Sequence, residues 1–181
     1  MASIYGFVIK KIKTFRGREG EGCQGDIYYN GKKVGWYNDM ADGGMADVYF
    51  DGDREQCSKM EALLNEAAKK YYAKYPLTGL CADLPITDGL FMDELVNVTM
   101  DEKVFKKHQK EGYFAMATYQ KQGVDFKEYT LLFKRKEALD AFQKRPDVER
   151  VRVYTKDGFN LTDESPQIEE KEEALLLNNE M

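Results

Sequence analysis

Short segments in which apolar side chains alternate with polar ones occupy most of the first 50 residues. They run from Ile4 to Phe15, Asp26 to Tyr29, Val34 to Met40 and Met45 to Phe50. β-Branched and aromatic residues are frequent in them, which favours strands over helices. The pattern predicts four antiparallel strands connected as a meander.

Glycine-containing turns separate these segments. The glycines between residues 17 and 25 are expected to end the first strand. Asn30-Gly31 is the strongest hairpin signal, because both residues tolerate the positive φ that a type I′ turn requires. A further turn at residues 41–44 leads into the fourth strand.

The apolar period then changes to that of an α-helix. Asp53 and Gln56 have the spacing of a capping box, which predicts a helix beginning there, and Pro76 predicts its end. We expect this helix, from Asp53 to Tyr75, to cover one face of the meander. Its apolar stripe consists of Met60, Leu63, Leu64, Ala67, Ala68 and Tyr71.

Leu77 to Asp88 contains proline and glycine and is expected to connect two parts of the protein. Leu90 to Lys110 is predicted to be helical, with a possible break near Thr99. The patterns that follow predict a hairpin, a short amphipathic helix and a returning strand, which together form a ββαβ unit. These elements are Tyr113 to Tyr119, Lys127 to Phe133 around a turn at 122–125, Lys136 to Lys144, and Val148 to Tyr154.

The predicted fold class is therefore α+β. Residues 1–76 form the meander and its helix, 77–111 a helical connection, 112–158 the ββαβ lobe, and 159–181 a mobile acidic tail. Removing Asn160 to Met181 is expected to leave the melting temperature nearly unchanged, since polar chain ends seldom contribute to a core. Within this tail, Ile168 to Leu177 could form a helix on a partner.

Composition and charge limit the class of protein. The 181 residues are 43% hydrophobic and 13% aromatic, which is ample for a globular core. No apolar run reaches the ~20 residues of a membrane span, and no signal peptide is evident, so we expect a cytoplasmic protein without membrane contact. The net charge of −5 is concentrated in residues 156–181, which contain eight acidic residues and two lysines.

Three patterns could carry a cofactor or a metal. The sequence GEGCQG at 20–25 matches the dinucleotide-binding pattern, but it precedes a predicted strand rather than a helix, which favours bends or bulges in a sheet. The five aspartates between residues 39 and 53 lack calcium-loop spacing and are explained by turns. His108 lies among lysines, as a surface residue would. We expect no cofactor and no metal.

Catalytic residues are not predicted either. Cys23 is the best nucleophile candidate, but no general base can be assigned to it. Cys23, Cys57 and Cys81 lack metal or redox spacing and are interpreted as reduced thiols. A small enzyme that uses Cys23 or the aspartates stays open as a third class of function, which metal dependence or thiol sensitivity would reveal.

Basic and aromatic residues share the first predicted strands. Such a surface can hold phosphates and stack bases, so direct nucleic-acid binding is one hypothesis. The acidic tail suggests the opposite hypothesis, in which a negative segment imitates phosphates at a basic site on another protein. The basic and aromatic residues are Lys10, Lys11, Lys13, Arg16, Arg18, Lys32 and Lys33, with Tyr28, Tyr29, Trp36 and Tyr37.

Three glycine-rich motifs carry a family resemblance. Residues 17–22 (GREGEG), 29–35 (YNGKKVG) and 42–44 (DGG) resemble the amino-terminal meander of small proteins from phages and other bacterial mobile elements. In size, acidity and lack of catalytic groups the chain also resembles type II-A anti-CRISPR proteins. The resemblance implies a non-enzymatic inhibitor in the bacterial host that binds a CRISPR effector nuclease with its guide RNA. It supplies no catalytic residues.

The preferred interpretation is that this inhibitor blocks DNA recognition or cleavage through its meander surface, with a possible contribution from the acidic tail. The alternative is a nucleic-acid-binding accessory protein that contacts DNA with the same basic and aromatic strands. The predicted partner-binding residues are Arg16, Arg18, Lys32, Lys33, Trp36 and Tyr37.

Overall fold

The computed structural model describes residues 1–77, 83–123, 128–156 and 158–162. The predicted turn at 122–125, the connection at 77–88 and the tail lie partly outside these ranges, and Cys81 and the segment 168–177 lie wholly outside them. The described chain is α+β, as predicted. Its elements are β1 (Ser3–Ile4), β2 (Phe7–Arg16), β3 (Glu21–Tyr29), β4 (Lys32–Asp39), β5 (Asp47–Phe50), α1 (Arg54–Lys74), α2 (Asp88–Gln109), β6 (Ala115–Lys121), β7 (Glu128–Phe133), α3 (Lys136–Gln143), β8 (Val148–Thr155) and β9 (Asn160–Leu161).

The predicted meander is confirmed, and two short strands extend it. The sheet has the strand order β5-β4-β3-β2-β1-β9, with β9 parallel to β1 and the other pairs antiparallel. Asn30 and Gly31 form the expected turn, with φ of 47° and 82°. The prediction of one uninterrupted first strand from Ile4 to Phe15 was wrong. Tyr5 and Gly6 adopt φ of 47° and 86° and turn the chain between β1 and β2.

The glycines between residues 17 and 25 end the first strand as predicted, since β2 stops at Arg16. The predicted start of the next strand at Asp26 was wrong, because β3 already begins at Glu21. The pairing of β2 with β3 contains a bulge between Lys10 and Lys13, where Lys11 has a φ of 53°. Gly25 lies opposite this bulge. A Cβ atom there would lie 2.8 Å from Cγ1 of Ile9, so a larger residue would force the two strands apart.

Helix α1 begins at the predicted capping box. The amide of Gln56 donates to the Asp53 carboxylate at 2.9 Å, and the Asp53 amide donates to the Gln56 side chain at 3.1 Å. The apolar stripe faces the core as expected, with Leu64 and Tyr71 fully buried.

Helix α2 lies at the centre of the molecule. It packs against α1, against the meander strands β1, β2 and β5, and against β6. Phe91, Leu95 and Val98 are fully buried. The possible break near Thr99 is absent, since α2 is continuous from Asp88 to Gln109. The Thr99 hydroxyl donates to the Leu95 carbonyl at 2.7 Å within the helix. The segment predicted as a connection thus supplies core residues.

The predicted ββαβ unit is confirmed as a three-stranded antiparallel sheet, in the order β7-β6-β8, with α3. The strand β6 is buried on both faces. Met116 belongs to the central core beside α2, whereas Ala117 and Tyr119 pack in a second core with Phe142 of α3. Two covering helices explain why β6 is apolar without clear alternation.

The predicted boundary of the mobile tail was wrong for its first residues. Phe159 and Leu161 are 5% and 4% exposed, and the ring of Phe159 stacks on Tyr154 at 4.5 Å. The amide of Ser3 donates to the Phe159 carbonyl at 2.9 Å, which joins β9 to β1. Residues 159–161 are part of the fold because the apolar side chains of Phe159 and Leu161 pack in the core, although the sequence around them is polar.

Candidate functional site

The outer face of the meander is the face of β2 to β5 turned away from α1 and α2. Ile9, Ile27 and Tyr37 point inward and are at most 1% exposed. Since successive strand residues point to opposite sides, their neighbours form the outer face. Its polar and aromatic residues are Lys10, Lys13, Gln24, Asp26, Tyr28, Lys33, Trp36, Asn38, Asp47 and Tyr49, with Lys11 at the bulge.

One row of side chains crosses four strands of the outer face. Lys10 pairs with Asp26, Asp26 with Trp36, and Trp36 with Tyr49. The rings of Trp36 and Tyr49 stack with centroids 4.2 Å apart and planes at 17°. They are 41% and 47% exposed, so this stacked pair is open to solvent. Such a pair offers a flat, rigid contact surface.

Lysines surround the centre of this row. Nζ of Lys11 lies 2.9 Å and Nζ of Lys33 lies 2.8 Å from the Asp26 carboxylate. Hydrogen bonds from Lys33 and Lys11 hold the pKa of Asp26 below its usual range, and Asp26 raises the pKa of both lysines. Nζ of Lys10 lies 4.0 Å from the ring centroid of Tyr28. Lysines outnumber aspartates on the outer face, which favours an anionic partner.

A depression of about 290 Å³ lies in the outer face beside Trp36. The depression lies at the bulge in β2, where the pairing of β2 with β3 is interrupted between Lys10 and Lys13. The residues that line the depression are Lys11, Lys13, Gln24, Gly25, Asp26, Trp36 and Tyr37.

The six predicted partner-binding residues do not share one surface. Lys33 and Trp36 lie on the outer face. Arg16 pairs with Glu21 and Lys32 pairs with Tyr29, and by strand alternation both point to the other side of the sheet, at its ends. Arg18 lies in the turn between β2 and β3 and is exposed.

The prediction that Tyr37 contacts a partner was wrong, because its side chain is 0% exposed. Its hydroxyl donates a hydrogen bond to the Asp93 carboxylate of α2. Burial raises the pKa of Tyr37, and burial also raises the pKa of Asp93 to about 6. Tyr37 therefore ties the meander to α2. The sequence placed it beside Trp36 but did not show which of the two neighbours points inward.

Sequence reasoning missed Tyr49, Asp26 and Gln24 as outer-face residues. The alternation of Tyr49 with Val48 and Phe50 was visible, and it places Tyr49 on the opposite side from two apolar residues. Pairing Tyr49 with Trp36 requires the register of β4 and β5. A loop of several residues joins these strands, so turn chemistry did not reveal that register.

Cys23 lies on the inner side of the meander and is half-buried. Burial raises the pKa of its thiol. Reactive cysteines have a lowered pKa, because the thiolate is the nucleophile. The environment of Cys23 thus disfavours thiolate chemistry.

Three of the five aspartates considered as metal ligands instead accept hydrogen bonds from nearby backbone amides. Asp39 accepts a hydrogen bond from the Ala41 amide at 2.8 Å, Asp42 accepts one from the Gly44 amide at 3.1 Å, and Asp53 caps α1. Among the described residues, no group of three or more histidine, cysteine or acidic side chains is arranged to hold a metal ion. In the same ranges, no helix is long and apolar enough to cross a membrane.

A second cluster of charges is buried where β8 meets α2. Arg152, 1% exposed, donates to Glu94 and Tyr71, and Arg150 donates to Glu94 at 2.7 Å. Arg152 also donates to both carboxylate oxygens of Glu128 at 2.8 Å. Burial alone would raise the pKa of Glu94, but the two arginines hold it below its usual value. This cluster connects β8 with α2, α1 and β7 within the protein.

No known protein family, characterised protein or solved structure matches the chain.

Proposed function

We propose that this protein is a non-enzymatic inhibitor from a phage or another mobile element that binds a guide-loaded type II CRISPR effector nuclease. The observation that carries the proposal is the exposed Trp36-Tyr49 stack surrounded by lysines. Trp and Tyr are enriched among the residues that dominate binding energy at protein interfaces. The motifs at 17–22, 29–35 and 42–44, which resemble those of mobile-element proteins, support the choice of partner.

A guide-loaded nuclease presents anionic RNA and carboxylates, to which the lysines of the outer face are complementary. Complementary charges accelerate association and orient the partner. An inhibitor held in this way blocks DNA recognition or cleavage by occupying the nuclease, without chemistry of its own.

The test is a titration of DNA cleavage by a guide-loaded type II nuclease. We expect inhibition to saturate near one inhibitor per nuclease, whereas an enzyme would turn over. Trp36→Ala, and separately the pair Lys11→Glu and Lys33→Glu, should weaken inhibition by about tenfold, or 1 to 2 kcal/mol. The matched control is the pair Arg16→Glu and Lys32→Glu, which reverses as many charges on the other side of the sheet.

If the control pair weakens inhibition as much as the outer-face variants do, the outer face is not the specific contact. Absence of binding and inhibition at micromolar concentration across a panel of type II nucleases would overturn the proposal. Cys23→Ser and His108→Ala should retain inhibition when folded, because neither residue is given a chemical role. Complete loss in folded Cys23→Ser would favour an enzyme.

The second candidate is a nucleic-acid-binding accessory protein, and the contact of Lys10 with the Tyr28 ring favours it, since base stacking and phosphate contacts need this combination. Salt separates the two functions. Direct phosphate binding weakens steeply as salt rises and needs only DNA. An inhibitor of the nuclease needs the nuclease to be present.

A further inference from the structure

The depression beside Trp36 combines three features that suit a nucleotide. Trp36 forms one side, Lys11 and Lys13 carry cationic groups, and Gln24 and Asp26 offer hydrogen-bonding groups. Its volume of about 290 Å³ lies at the lower limit of ligand pockets, which begin near 300 Å³, so it suits one flat ring rather than a large molecule.

We infer that this depression binds an unpaired base of single-stranded nucleic acid. The base stacks on one face of the Trp36 indole ring. The Tyr49 ring packs against the opposite face of this indole. Lys11 and Lys13 contact the phosphates on either side of the base. The inference rests on the outer face being the binding surface, as proposed above, and it names the ligand of one part of that face.

Asp26 has a positioning role in this arrangement. Its carboxylate is bonded to both Lys11 and Lys33, which orients the two ammonium groups beside the opening. Gln24, one row away, can both donate to and accept from a base edge. Phosphate contacts provide affinity for any sequence, while stacking needs only the face of a base.

A single strand fits this site better than a duplex. Bases in a duplex are covered on both faces by their neighbours. Trp36 could therefore stack on a duplex base only after that base has left the double helix. That unstacking is costly. Single strands expose their bases without this cost, and we therefore expect a clear preference for them.

Trp36 is the only tryptophan in the chain, so its fluorescence reports on the site directly. The full-length protein is titrated in 50 mM salt with a thymidine 12-mer and with the same 12-mer paired to its complement. We expect saturable quenching by the single strand and at least tenfold weaker binding of the duplex. Raising the salt to 200 mM should weaken single-strand binding several-fold.

Variants assign the effect to the depression. Lys11→Ala combined with Lys13→Ala should weaken binding at least fivefold and reduce its salt dependence. Lys59→Ala on α1, an exposed lysine on another element, is the matched control and should bind like the parent. With a labelled 12-mer, Trp36→Phe should stay within about threefold of the parent, and Trp36→Ala should lose about tenfold.

Absence of quenching up to 100 µM single strand would overturn the inference, and so would equal binding of the duplex or an equal loss in Lys59→Ala. Nuclease inhibition is measured on the same preparations. Inhibition without single-strand binding would overturn the inference of a base-binding site and would leave the proposed function unaffected. Single-strand binding without inhibition would support the base site and overturn the proposed function.

Discussion

The two sheets of this protein differ in how many of their faces are covered by helices. The meander is covered by α1 and α2 on one face, and the other face carries exposed rings and lysines. The three-stranded sheet of β6, β7 and β8 has α2 on one face and α3 on the other. Within the described ranges, the meander is therefore the sheet with a broad face open to solvent.

The charges follow the same division. On the outer face, Lys11 and Lys33 share Asp26 in contact with solvent, where an ion pair contributes little to stability. Between α2 and β8, Arg150 and Arg152 share Glu94, and none of these three side chains is more than 9% exposed. Similar ion pairs thus lie on an exposed face at one sheet and connect buried elements at the other.

The largest expected effect comes from breaking the buried cluster. Glu94→Ala would remove the more buried of the two carboxylates, Glu94 and Glu128, that Arg150 and Arg152 share. Removing one partner of a buried pair costs about 3 to 5 kcal/mol. Urea unfolding measures the loss. Glu66→Ala, which removes an exposed carboxylate on α1, is the control and should change stability little. A loss below about 1 kcal/mol would show that the cluster does not hold β8 to α2.

The second largest effect is expected from a substitution in β9, which tests whether this strand belongs to the core. Leu161→Ala should lower the free energy of unfolding by about 2 to 4 kcal/mol, because a buried leucine loses its contacts and leaves a cavity. Asn160→Ala in the same strand is exposed and serves as the control. Equal stability of the two variants would restore the interpretation that residues 160 and 161 are a mobile tail.

The inner side of the meander can be tested through pH. The pKa of Asp93 is raised to about 6 from 3.8 by burial, so its ionised form destabilises the fold above about pH 6 and this penalty is absent below about pH 4. Asp93→Asn keeps an acceptor for Tyr37 without the charge. Relative to the parent, the variant should gain about 1 to 3 kcal/mol between pH 4 and pH 8. A pH-independent difference in unfolding free energy would contradict this origin.

The smallest expected effect on stability is at the open surface. Trp36→Ala removes an exposed ring and one cross-strand stack, worth about 0.5 to 1 kcal/mol. The same variant should weaken partner binding about tenfold. Thermal unfolding and binding of one preparation measure both. A loss of stability above about 2 kcal/mol would show that Trp36 supports the fold and would weaken the contrast between the two sheets.

Much of the fold could be predicted because local chemistry specifies it. Asn30-Gly31 forms its turn, Asp53 and Gln56 cap α1, and the ββαβ unit follows its apolar periods. Predictions failed where distant residues decide the outcome. Phe159 and Leu161 belong to the fold because β1 lies beside them. The helix α2 was predicted, but its place in the core was not, because α2 supplies core residues on several sides and lacks a single apolar stripe.

The sequence by itself determined the α+β class, the hairpin turns and the presence of basic and aromatic residues on the first strands, because these depend on neighbours a few positions away. Tertiary structure decided which of those residues are accessible. Trp36 is open and Tyr37 is buried because α2 covers only one side of β4. Register across the sheet brought Lys10, Asp26, Trp36 and Tyr49 into one row, since pairing between strands is fixed by long-range hydrogen bonds and bulges.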